Sequence, residues 1–196
     1  LIAIYLGAEG IGIHSILTTN INLLCALFGL GIYSAAISVF SDKSNFYKIY
    51  KELFSVVFFF SCIGVLLTII FSSLLSDFLF NDISFQNEII IVSFIIIITN
   101  LTNLKKSALQ SLGYRKRISI ASVFASLLSL TTIFFYVYFG KKGIALALLF
   151  SSIFSLISYY SQKPFITKIQ ISNIYRNLKT HKPTIFLGIS MVFGGV

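Results

Sequence analysis

The sequence predicts an all-α fold, a polytopic transmembrane helix bundle of about six spans, and three observations carry that prediction. The chain is 57% hydrophobic with only 11% charged residues, which excludes an ordinary soluble domain. Residues 15–40, 53–75, 89–104, 118–139 and 143–160 contain no Lys, Arg, Asp or Glu. The cations fall in alternate gaps between these runs, as they do where helices cross a bilayer in alternating directions.

Sidedness follows from the same charges. Of the 15 cations, all but Lys141 and Lys142 lie in one set of gaps. These are Lys43, Lys48 and Lys51, then Lys105, Lys106, Arg115, Lys116 and Arg117, then Lys163, Lys168, Arg176, Lys179 and Lys182. Glu9, Asp77, Asp82 and Glu88 lie in the opposite set. Basic gaps stay in the cytoplasm, so the orientation is set. The net charge of +9 then serves topology and attraction to anionic lipid, and no nucleic-acid partner is needed to explain it.

The elements follow in order. Leu1–Leu6 reads as the tail of a first span, and Gly7–Gly12 as a short exterior turn. Ser15–Phe40 is the second span, long enough at ~1.5 Å per residue to cross ~30 Å of hydrocarbon. A cytoplasmic gap, Ser41–Glu52, leads to the third span, Leu53–Leu75, and an acidic exterior loop, Ser76–Glu88. The fourth run, Ile89–Leu104, is short, so its helix is expected to continue past Lys105 and Lys106 with both ammonium groups snorkelling to the interface. Ile118–Phe139 and Gly143–Tyr160 form a hairpin across the tight turn at Gly140–Gly143. Residues 161–184 are polar and basic and contain Pro164 and Pro183. Ile171, Ile174, Tyr175 and Leu178 recur there at helical spacing, predicting an amphipathic cytoplasmic helix. A seventh span begins near Ile185. The chain starts without Met inside an apolar segment and ends inside another, so a fragment is expected. Its division is a transmembrane unit over 1–160, a linker over 161–184 and the start of a further span over 185–196. Ser84 and Ser107 are expected on opposite faces of the membrane. Most tyrosines, among them Tyr47, Tyr50, Tyr114, Tyr136, Tyr138, Tyr159 and Tyr160, sit near span ends as interfacial anchors.

Little in the sequence promises covalent chemistry. His14 and His181 fall on opposite sides, and no paired carboxylates lie within the spans. Cys25 and Cys62 lack the spacing of a zinc or redox site and read as buried apolar residues. We therefore expect no catalytic residue, no metal, no cofactor and no enzyme activity. Two polar clusters stand out instead: Thr18, Thr19, Asn20 and Asn22 open the second span, and Thr99, Asn100, Thr102 and Asn103 close the fourth. Amides in hydrocarbon are costly unless partnered. Asn20, Asn22, Tyr33, Asn100, Asn103 and Gln110 therefore either bond other helices or line a polar cavity for a sugar-like substrate. The stripes Gly31/Ala35, Ala121/Ala125 and Ala147/Ser151/Ser155 read as helix packing contacts. The cationic cluster Lys105, Lys106, Arg115, Lys116 and Arg117 is explained by topology, and is also the candidate for capturing an anionic lipid head group.

Three segments carry a family resemblance. Leu6–Ile13, followed by a span that reaches Gly29-Leu30-Gly31-Ile32, resembles the first loop and second span of the polysaccharide flippases. These are the Wzx-type translocases of O-antigen and other lipid-linked oligosaccharides, in the multidrug/oligosaccharidyl-lipid/polysaccharide exporter superfamily. Leu109–Ile118 is similar to their fourth-to-fifth connection, and Tyr138–Ala145 to their turn between spans five and six. The resemblance implies one lobe of a two-lobe transporter in the bacterial cytoplasmic (inner) membrane. It implies as substrate an undecaprenyl-pyrophosphate-linked oligosaccharide, flipped to the outer leaflet during surface polysaccharide and lipopolysaccharide biosynthesis. Membrane lipids and other polysaccharide-assembly proteins are the implied partners. Relatives often carry a charged side chain early in the second span, where this chain has Thr18 and Thr19. Two alternatives stand beside this reading. One is a multidrug or cation exporter of the same superfamily. The other is an integral-membrane polysaccharide polymerase or acyltransferase.

Overall fold

The computed structural model describes residues 2–40, 44–162 and 174–193, and among them it contains helices and no strand. The helices are α1 (Ile2–Phe28), α2 (Ile32–Val39), α3 (Phe46–Ile70), α4 (Ser72–Phe80), α5 (Gln86–Ser111), α6 (Arg115–Leu130), α7 (Ile133–Phe139), α8 (Gly143–Gln162), α9 (Ile174–Thr180) and α10 (Lys182–Phe193). Four segments are long and apolar enough to cross a membrane: Gly7–Phe28, Phe46–Ile70, Ile83–Ser111 and Arg115–Gln162. The last of these, at 48 residues, is the predicted hairpin, which reverses in a short 3-10 turn at Gly140–Lys142.

Charge-free windows mark the hydrocarbon-facing part of a helix, not its ends, and the helices extend beyond them. The exterior turn expected over Gly7–Gly12 shrinks to Gly7, whose φ of 65° and ψ of −167° only glycine adopts cheaply. Helix α3 starts at Phe46, inside the gap predicted over Ser41–Glu52. A column of aromatic rings supports that extra length. Phe46, Tyr50, Phe54 and Phe58 recur every fourth residue, with successive centroids 6.1, 6.2 and 6.4 Å apart. At its far end α3 bends at Phe71 into α4, so the predicted exterior loop Ser76–Glu88 is mostly helical. The reversal itself spans Asn81 to Phe85. Asp82 accepts from the Ser84 side chain at 2.7 Å and the Ser84 amide at 2.8 Å. Those two bonds hold its carboxyl below the usual carboxylate range.

The single second span expected over Ser15–Phe40 is broken. Helix α1 stops at Phe28, the chain turns through Gly29-Leu30-Gly31, and α2 resumes at Ile32. Leu30 is held at a φ of 53°, a costly conformation for a branched side chain. Helix α10 walls the turn: a Cβ added at Gly188 would stand 2.5 Å from the Leu30 carbonyl oxygen. Span five is interrupted too, at Thr131-Thr132, where both hydroxyls bond back to carbonyls of the preceding turn.

Helix α5 is the hub, touching α1, α2, α3, α4, α6 and α8. It joins two apolar cores. One, at the acidic pole, gathers Ile13, Leu17, Val92, Tyr136 and Ile144. The other, at the basic pole, gathers Phe40, Phe46, Tyr50, Leu109 and Tyr159, with Tyr114 and Ile118 against them. The basic gaps before α3 and before α6 therefore share one pole, as the charge pattern requires. At the other pole Lys141 pairs with Glu9, both largely exposed. Several tyrosines read as interfacial anchors are core residues here: Tyr50, Tyr136 and Tyr159 are buried, while Tyr47 and Tyr138 are exposed. Large apolar side chains such as Leu66, Ile70, Val123, Phe124 and Leu127 cover outward faces, as lipid contact demands.

Ser107, expected to report on the basic side, is buried, and its hydroxyl donates to the Tyr33 carbonyl at 2.6 Å. Lys116, exposed at the same pole, replaces it as reporter. In intact cells, a membrane-impermeant thiol reagent should label Ser84→Cys and leave Lys116→Cys unlabelled until the membrane is permeabilised. Equal labelling of both in intact cells would refute the topology.

Candidate functional site

Residues 99–103 of α5 read Thr-Asn-Leu-Thr-Asn. At 100° per residue they point polar groups to two sides of the helix. Asn100 turns toward α1 and α3 and is 1% exposed. Its Nδ2 donates to Ser61 Oγ of α3 at 3.0 Å. Its Oδ1 faces Gly29, where an alanine Cβ would approach to 2.6 Å, and has no hydrogen-bond partner among the described residues. Gly29, Ser61 and Asn100 occupy one level. One turn to one side lie Cys25, Val65 and Ile96 of the acidic-pole core. About one turn to the other lie Ile32, Val57 and Leu104 of the basic-pole core. The bundle thus has a polar layer at the height where span two breaks.

The other side of α5 presents Thr99, Thr102 and Asn103 to Ser151, Ser152 and Ser155 of α8, enclosing a groove of about 260 Å³. Ser129 of α6 bonds Ser151 at 2.8 Å and ties a third helix to this wall. Several of these hydroxyls also donate to carbonyls of their own helix, as Thr102 does to Ile98 and Ser152 to Leu148. The lining is hydroxyls and one amide, with no charge. It can exchange hydrogen bonds with a polyol or with water, and it has no group that titrates near neutrality.

The six cavity candidates do not converge. Asn103 lines this groove and Asn100 sits beside it in the packed layer. Asn20 lines a separate groove of about 540 Å³ between α1 and α4, among Leu23, Leu75, Phe78 and other mostly apolar neighbours. Asn22 is exposed on another side of α1, and Gln110 is exposed near the basic pole. Tyr33 is half-buried on α2 and serves through its carbonyl, which accepts from Ser107.

The cationic candidates also separate. Lys105 does not snorkel: it is fully buried, with its ammonium 5.0 Å from the centre of the Tyr160 ring, a cation–π contact. Lys106, Arg115, Lys116 and Arg117 are exposed. Arg117 donates to the Gln162 carbonyl at 2.6 Å and stacks over Tyr114, fastening the start of α6 to the end of α8.

Sequence reasoning missed two carboxylates. Glu88, read as a loop acid, is buried in the first turn of α5, where the helix dipole favours it. Its Oε2 has no hydrogen-bond partner among the described residues. Glu52 Oε2 lies 2.7 Å from His181 Nε2, joining α3 to the turn between α9 and α10. The 129-residue separation of that pair left no local signal. Within the predicted amphipathic segment, Ile171 and Pro164 lie outside the described residues, and α9 carries Ile174, Tyr175 and Leu178. Among the described residues no cluster of three or more His, Cys, Asp or Glu is placed to hold a metal ion.

An all-helical bundle with long apolar segments, an internal polar layer and an uncharged groove is the framework of a polytopic membrane protein. Over residues 1–196 the sequence matches the polysaccharide biosynthesis protein family, and the chain belongs to it. Comparison with curated proteins and with solved structures returned no match.

The polar layer can be measured by a double-mutant cycle on Asn100→Ala and Ser61→Ala. Unfolding in detergent should give a coupling near ~0.6 kcal/mol and no more than ~1.7 kcal/mol. Gly29→Ala should cost about 1–3 kcal/mol through overpacking against the Cys25 carbonyl oxygen and Asn100. A neutral Gly29→Ala would show that the two helices do not meet there.

Proposed function

We propose that the protein is a flippase. It moves an oligosaccharide linked to undecaprenyl pyrophosphate from the inner to the outer leaflet of the bacterial cytoplasmic membrane, for surface polysaccharide assembly. The observation that carries this reading is the uncharged hydroxyl-and-amide groove between α5 and α8. A sugar is a dense array of hydroxyls, and each must keep hydrogen-bond partners while it crosses hydrocarbon. Thr99, Thr102, Asn103, Ser151, Ser152 and Ser155 supply such partners without the strong electrostatic grip that would hold a substrate in place. The broken span beside them supports the same reading, because discontinuous helices line midplane sites in many transporters. Family membership agrees with a role in polysaccharide synthesis. The groove's lining favours transport over catalysis, since it offers no acid, base or nucleophile activated by a neighbour.

The test is Asn103→Leu with Ser152→Leu in the full chain, which fills the groove with apolar side chains and leaves the Ser129–Ser151 bond in place. Delivery of the lipid-linked sugar to the outer leaflet of proteoliposomes should fall about tenfold or more, the equivalent of ~1.4 kcal/mol. The melting temperature should change little. Delivery at the unsubstituted rate in a folded double variant rejects the groove as the path.

A further inference from the structure

At the basic pole the docking of α9 on α3 and of α10 on α2 creates a further concave feature. Ile174, Asn177 and His181 are buried in that contact, and Leu178 packs against the basic-pole core. Between them and the start of α3 lies a cleft of about 610 Å³, within the ~300–1,000 Å³ typical of ligand pockets. Lys48 of α3 and Arg176 of α9 line it from different elements, and both are exposed. Asn45 and Thr184 add neutral hydrogen-bonding groups. The carboxylate in the lining, Glu52, is engaged by His181 at 2.7 Å. The cleft therefore turns cationic and donor-rich groups toward the aqueous side. The Arg115–Arg117 segment differs: its cations stand on the outer surface, and Arg117 is already committed to Gln162 and Tyr114.

We infer that this cleft binds a phosphate or diphosphate group at the cytoplasmic interface, between Lys48 and Arg176. Arg offers a fork of donors to phosphate oxygens, and Lys a compact charge. Basic pockets between helices on this side of a membrane bind phosphorylated head groups. The group could arrive on a lipid of the inner leaflet or as a soluble phosphate, and the cleft chemistry is the same for both. The inference goes beyond the flippase reading and stands whether or not the α5–α8 groove carries sugar.

The full chain, purified into nanodiscs, is tested with two probes: phosphatidic acid against phosphatidylcholine by native mass spectrometry, and sodium pyrophosphate by thermal shift. Lys48→Gln with Arg176→Gln should weaken binding of phosphatidic acid, pyrophosphate or both by about tenfold or more, as expected for two lost surface cations. Lys179→Gln with Lys182→Gln removes the same charge from neighbouring positions outside the cleft lining, and should weaken it less than about twofold. Thr180→Trp, at an exposed position lining the cleft, should block binding without changing charge. Loss confined to phosphatidic acid identifies a lipid head group, and loss confined to pyrophosphate identifies a soluble phosphate. Equal weakening by the two charge pairs, wild-type binding by Thr180→Trp, or no saturable binding of either probe overturns the assignment.

Discussion

The contact on which the rest of the bundle depends is the meeting of Asn100 with Ser61 and Gly29. In lipid, helices gain nothing from hiding apolar surface from one another, so close packing and interhelical hydrogen bonds must set their register. Asn100 does both. Its amide hydrogen reaches α3, and its oxygen face fits against Gly29, the residue that follows α1 and has no side chain. A one-residue slip of α5 would rotate the amide by 100° and strand it against aliphatic neighbours. The apolar cores on either side repeat at one-turn intervals from this level, so the layer fixes the register of both.

The break in span two follows from the same packing. The turn through Gly29-Leu30-Gly31 keeps its backbone satisfied through bonds such as Gly29 N–H to the Cys25 carbonyl at 2.8 Å and Ile32 N–H to the Gly29 carbonyl at 3.1 Å. Non-helical backbone at membrane depth is tolerated where protein surrounds it. Here Asn100 covers one side and Gly188 of α10 the other. The strained Leu30 is held by that enclosure.

The membrane helix bundle was legible because charge is excluded from hydrocarbon, and a charge-free window is a one-dimensional signal. Helix ends were less legible: polar first turns such as Phe46–Glu52 and Gln86–Glu88 carry charge yet remain helical at the interface. The break at Leu30 could not be read, since a leucine in the left-handed region is imposed by tertiary contacts. Lys105 misled for a related reason. A cation beside an apolar run is expected to reach water, and only the fold places Tyr160 where its ring can receive the ammonium. The candidate site was half legible. The polar residues of α5 were found, but not the helix orientation that sends Asn100 to a packing layer and Asn103 to a groove. Nor did the sequence show that Ser151, read as a packing residue, completes that groove from α8.

Helix α10 connects the two ends of this architecture. Thr184 lines the basic cleft, and Gly188, one turn further on, presses on Leu30 at the break. His181, the residue just before α10, bonds Glu52 of α3. A rigid helix translates as a unit, so a shift at the cleft that moves Thr184 also moves Gly188 against the turn. The turn in turn abuts Asn100, whose helix carries Thr99, Thr102 and Asn103 into the groove. A continuous chain of packed groups therefore runs from the basic pole to the polar groove, and it passes through three positions with little room to change size: Gly188, Gly29 and the buried Asn100.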